Sequence, residues 1–92
     1  MKLKQIACIS TNYESADFWL IRRGSEQNIG RPIEEFNKHH FGVYVVTREL
    51  VLPKWLFYKL THIHNTGFFV PLARGSLRLK HIVIEDVENL IL

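Results

Sequence analysis

Arginines set beside glycines are the residues of this chain with the clearest chemical use. Arg22 and Arg23 lead into a polar stretch at 24–30 that holds Gly24, Gln27, Asn28 and Gly30, and Arg31 leaves it. Further along, Arg74, Arg78 and Lys80 flank Gly75 and Ser76. A glycine lets backbone approach a phosphate closely, a guanidinium binds that phosphate or a guanine edge, and Gln or Asn amides pair with adenine. The expected contact set is therefore Arg22, Arg23, Arg31, Arg74, Arg78 and Lys80, with Gln27, Asn28 and Ser76 adding hydrogen bonds. Gln27 and Asn28 are the natural adenine readers and Arg31 or Arg74 the natural guanine readers, if any base is read. The plain alternative is a pair of ordinary solvated hairpin loops.

Other chemistries find less support. The histidines fall as His39-His40, His62, His64 and His81. On a helix His62 and His64 face different sides, whereas a helical metal pair sits three or four residues apart so that both rings converge; only an extended 61–65 would bring them to one face. Glu34-Glu35 and Glu85-Asp86 are the carboxylate pairs, and neither precedes the Glu-x-Lys spacing of a metal-dependent nuclease. Glu85 and Asp86 suit the negatively charged start of a helical turn instead. Ser25 and Ser76 each follow a glycine without a nucleophile elbow or a phosphate-binding loop around them. Neither a catalytic residue nor a cofactor or metal is expected.

These loops must be carried by one small domain, because 92 residues lie far below the length at which chains split into several cores. The composition is 47% hydrophobic with six Phe, three Tyr and two Trp, that of a packed globule. Twelve Lys and Arg stand against nine Asp and Glu, a net +3; three of the nine acids lie in 85–88, so residues 1–84 carry twelve basic against six acidic groups, or +6. A basic body suits a polyanion partner. The single Cys8 lies in an apolar run and is expected in the core, in a reducing compartment. No stretch has the length and apolarity of a membrane span, so a cytoplasmic protein with no membrane partner is expected.

The elements follow from periodicity. Residues 2–9 alternate loosely and read as a strand, and 17–23 (DFWLIRR) as a second one that ends at Gly24-Ser25. A long surface loop follows to Pro32, then a short turn of uncertain type at 33–37. FGVYVVT at 41–47 is the clearest strand and is expected at the centre of a sheet. Pro53 opens a helix at about 53–65, with Gly67 as its left-handed stop. Residues 68–72 read as extended and 79–84 as a strand, followed by a helical turn at 85–88 and an apolar end at 89–92. Phe18, Trp19, Tyr44, Trp55, Phe57 and Tyr58 are expected mostly in the core. If 68–72 is extended, Phe68 and Phe69 cannot both point inward, which makes them candidates for a partner contact. The fold class is α/β, of the α+β kind: a small twisted mixed sheet, one main helix and Gly-containing basic loops.

From residue 52 onward the chain resembles the target-recognition domain of type I restriction-modification specificity subunits. LPKWLFYKL is similar to that family's leucine/proline-led aromatic helix, GSLRLKHIVIEDVENLIL to its closing pattern, and the upstream IRRGSEQNIGRP to its Arg-x-Gly and Ile-Gly element. The resemblance covers sixty to seventy residues and rests on the order of the pieces. It implies a twisted sheet whose loops enter the DNA major groove, with 24–31 and 74–80 facing the DNA. Those loops vary within the family, so no base contact carries over. The chain is shorter than such domains and stops at Leu92, where those subunits continue into a Pro-rich segment and long helices. A miniature that dimerises to read two half-sites, or a chain that kept the fold and changed its use, is expected.

The leading expectation is thus a small non-catalytic module that binds duplex DNA. The alternative is a protein-interaction module, a small subunit or inhibitor docking on a larger enzyme through Phe68, Phe69 and the aromatic helix face. A metal-dependent nuclease using Glu34, Glu35 or Asp86 comes third.

Overall fold

β-Branched and aromatic residues are densest at 41–45, and there the chain builds the strand around which the rest is arranged. The computed structural model describes residues 1–76 and 78–92. In chain order its strands are β1 (Ala7–Ser10), β2 (Phe18–Leu20), β3 (Arg23–Gly24), β4 (Pro32–Ile33), β5 (Phe41–Val45), β6 (Arg74–Gly75) and β7 (Lys80–His81). Two α-helices, α1 (Pro53–Asn65) and α2 (Ile84–Glu88), and two short 3-10 turns, Leu3–Gln5 and Val70–Leu72, complete it. The α+β class and the main helix are as expected, but the strands form two antiparallel sheets in place of one mixed sheet: β1-β5-β2-β4 and β3-β7-β6.

The inner face of the first sheet follows from register. Ala7 pairs with Val45, Ile9 and Phe18 with Val43, and Leu20 with Phe41, so these side chains share a face. All of them are buried. Leu56 and Leu60 of α1 are fully buried in the same core, with Phe57 edge-on to Phe18 at 5.4 Å. A helix of this length is marginal alone in water. Burying its two leucines contributes roughly 3–6 kcal/mol, so packing holds it in place. Pro53 sits in its first turn and Gly67 ends it at φ 79°, both as the sequence indicates.

Several expectations need correction. Residues 2–9 are not one strand: Leu3–Gln5 make a 3-10 turn closed by Lys2, whose N–H donates to Gln5 Oε1 at 2.6 Å. Cys8 is exposed, because its neighbours Ala7 and Ile9 take the inward positions and alternation turns it outward. Trp55 and Tyr58 also face solvent, since Leu56 and Leu60 claim the core side of α1. The 68–72 stretch coils into the second 3-10 turn instead of extending, which buries Phe69 and leaves Phe68 exposed. Phe69 is thereby lost as a partner contact. The strand expected at 79–84 shrinks to Lys80–His81, although Ile82 N–H still donates to Arg22 O at 3.0 Å. The helical turn at 85–88 is α2, and the end of the chain is tied to its start by Leu3 N–H to Leu90 O and the Lys2–Ile91 bridge.

Candidate nucleic-acid interface

The single strand expected at 17–23 is shared between the two sheets, and this creates the site. Ile21 N–H still donates to Arg31 O, and Gly30 N–H to Ile21 O at 2.8 Å, extending the pairing with β4. One residue later Arg22 O accepts from Ile82, and β3 belongs to the second sheet. Arg22 thus occupies the junction. Its N–H points at His40 Nδ1 over 3.4 Å, and its guanidinium lies over the Phe41 ring, 5.8 Å from the centroid. Burial, with His39 and then Arg22 adding, holds the His40 imidazole below its ordinary pKa, which favours the neutral ring that accepts this hydrogen bond.

β7 pairs with β3 on one side and β6 on the other, with Arg23 and Arg74 both opposite His81, and Gly24 and Gly75 both opposite Lys80. Residues directly opposite project from the same face. Arg23, His81 and Arg74 therefore make one row, and Lys80 emerges on the other face between two glycines. Lys80 Nζ bonds to Glu26 Oε1 at 3.1 Å. That pair joins the 24–31 loop to the 74–80 segment, so the two arginine-bearing loops are neighbours. The surface pair adds little stability, but it removes Lys80 from the free contact set.

The 24–31 loop is built from turns docked on the core. Asn28 N–H and Ile29 N–H both donate to Ser25 O, and Arg31 N–H to Asn28 O. Ile29 is buried, its carbonyl meets His64 Nδ1 at 2.9 Å, and Gly30, at φ 78°, backs onto the Phe69 ring. Gln27 and Arg31 are left exposed at the surface. Asn28 is half-buried and its amide donates to Ser25 Oγ at 3.0 Å, so it is partly used within the loop. In the other segment Arg78 and Ser76 are exposed, Ser76 Oγ accepting from Leu79 N–H at 3.3 Å. Leu77 of the GSLRLK stretch lies outside the described residues.

Beside the Arg23–His81–Arg74 row, a cleft of about 470 Å³ opens between the two sheets. Arg22, Arg23 and His81 line it together with Ser10 and Thr11, which close β1. Sequence reasoning missed the last three for this role: His81 is legible only as the neighbour of Lys80, and nothing local marks Ser10 and Thr11. The metal reading gains nothing, because among the described residues no three His, Cys, Asp or Glu side chains gather as a site. Glu34 and Glu35 follow β4, while Glu85 and Asp86 occupy the first turn of α2. Among the described residues no helix is long and apolar enough to cross a membrane. No protein-family model, curated protein or solved structure matches the chain.

Proposed function

We propose that the protein is a small, non-catalytic, cytoplasmic module that binds duplex DNA, used in the manner of the restriction-type target-recognition domains it resembles. One observation carries the reading: β7 pairs with both β3 and β6, which aligns Arg23 and Arg74 and makes neighbours of two loops far apart in sequence. Arg22 flanks this row, and Arg31 and Arg78 extend it as exposed charges on the adjoining loops. Phosphate contacts from these arginines set orientation, and Gln27 is placed on the loop that would reach base edges.

A salt titration of duplex binding tests the reading. With about four to five phosphates neutralised, log K falls against log salt with a slope of about −3.6 to −4.5, a loss of about 150- to 500-fold between 50 and 200 mM. Absence of binding at low salt, or a flat slope, would sink the proposal.

A second reading, docking on a larger protein, has its own support in α1. Trp55 is 49% exposed and Tyr58 60% exposed on the solvent side of the helix, with Leu52 at its start and Phe68 exposed beyond its end. Light scattering and pull-down separate the two readings. Docking requires a complex that survives Arg23→Ala and Arg74→Ala and is lost on Trp55→Ala with Tyr58→Ala.

A further inference from the structure

The cleft between the two sheets joins Arg22 and Arg23, which the duplex-binding reading already uses, to His81 and an apolar wall that it does not use. Arg22 and Arg23 approach it from the β2–β3 junction and His81 from β7, with Ser10 and Thr11 at the end of β1 and the Ser10 hydroxyl donating to Thr11 O at 3.1 Å. Guanidinium and imidazole donors match a phosphate, whose oxygens accept several charge-assisted hydrogen bonds at once. Arg22 is held in place by its position over Phe41 and by the bond from Ile82 N–H to its carbonyl, so little ordering remains to be done on binding. The rest of the wall is apolar: Ile82, Val83 and Ile84 run along it. Glu85, the one carboxylate lining the cleft, comes four residues after His81. At about 470 Å³ the space exceeds what a bare phosphate needs and falls within the range of small-molecule sites.

We infer that this cleft binds a nucleoside phosphate, its phosphate on Arg22, Arg23 and His81 beside Thr11, and its nucleoside along Val83 and Ile84. The ligand class rests on the nucleic-acid reading, whereas the phosphate site rests on the cleft alone. The same chemistry is offered by a backbone phosphodiester, by a phosphorylated 5′ end and by a free nucleotide. Glu85 discourages a second phosphate, so a monophosphate is preferred to a triphosphate.

The test is a titration of the full chain with adenosine 5′-monophosphate, adenosine, inorganic phosphate and adenosine triphosphate, followed by backbone amide shifts. Saturable shifts are expected at Ser10, Thr11, Arg22, Arg23 and 81–85, with the monophosphate tighter than either adenosine or inorganic phosphate. Arg23→Gln, at an exposed position whose loss leaves the core intact, weakens binding by tenfold or more, and Glu85→Gln strengthens the triphosphate. Binding of adenosine as tight as that of its monophosphate, or shifts confined to 74–80, overturns the proposal. A covalently closed circular duplex and linear duplexes with and without 5′-phosphate, each competed against the monophosphate, identify the natural source. Duplex binding that persists while the monophosphate leaves the cleft unshifted removes the cleft site and spares the duplex reading. Monophosphate binding without duplex binding does the reverse.

Discussion

Gly30→Ala should be among the most damaging single-methyl changes this chain can suffer. Gly30 has φ 78°, a conformation that costs an L-residue about 1–2 kcal/mol. The added methyl would also lie 2.7 Å from Phe69 Cγ. Phe69 is only 2% exposed and belongs to the core cluster, so its ring can move aside only by giving up core contacts, and overpacking of that kind costs about 1–3 kcal/mol. The sum, about 2–5 kcal/mol, is a large share of the roughly 5–15 kcal/mol that holds a small domain together. Urea denaturation with a slope of about 1–3 kcal/mol per M should show the midpoint falling by about 1 M or more. A double-mutant cycle separates the two costs. Phe69→Leu alone removes ring volume at a cost of about 1–2 kcal/mol, and in the double variant the methyl meets no ring. The pair should then cost less than the sum of its parts by about 1–3 kcal/mol. A loss below about 1 kcal/mol for Gly30→Ala, or additivity within about 0.5 kcal/mol, would refute the claim that the 24–31 loop is seated on Phe69.

Asp17 accepts from Val45 N–H at 2.9 Å as well as from Arg48, so Asp17→Asn, which keeps an acceptor oxygen for that N–H, should destabilise less than Asp17→Ala; equal losses by urea midpoint would mean the backbone bond contributes nothing. The folded-state pKa of His40 lies below its ordinary 6.5, chiefly through burial, so the unfolded chain binds that proton first. Its contribution is whole above about pH 6.5 and is lost as pH falls toward the folded-state value; His40→Gln should therefore narrow the gap between urea midpoints at pH 7.5 and 5.5, and an unchanged gap would count against it. Cys8 is exposed on the outer face of β1, so a thiol reagent should titrate it without denaturant. Iodide should quench the fluorescence of Trp55, 49% exposed, and spare Trp19, 6% exposed with its indole N–H on Tyr13 O at 2.9 Å; quenching that Trp55→Phe leaves undiminished would put the wrong indole in solvent.

What the sequence showed of the fold divides by range. The α1 helix and its ends were legible because Pro53, the leucine spacing and Gly67 act within the helix itself. The β5 strand was legible because its composition has no helical reading of comparable strength. Cys8, Trp55 and Tyr58 lie outside the core for a different reason. Hydrophobicity names candidates for burial, but the neighbour facing the partner element takes the place, as Ile9 does beside Cys8 and Leu56 beside Trp55. The sequence predicts an extended 68–72, whereas Val70–Leu72 coils. The buried member is the one that Gly30 leaves room for, and that pairing is invisible locally.

The candidate site was legible in its residue types and hidden in its register. Arg23, Arg74 and Lys80 look equivalent along the chain, yet in two-residue strands a slip of one position moves every side chain to the other face. The backbone bond from Ile82 N–H to Arg22 O holds the register of β7, and the Lys80 Nζ–Glu26 Oε1 pair agrees with it. With that register the row carries two guanidiniums with an imidazole between them, and the cleft receives His81. Moved by one residue, β7 would put Lys80 in the row and turn His81 toward Glu26. The lysine that composition counts among the contacts is therefore paired with Glu26, and His81, which the sequence marks only as the neighbour of Lys80, stands between Arg23 and Arg74.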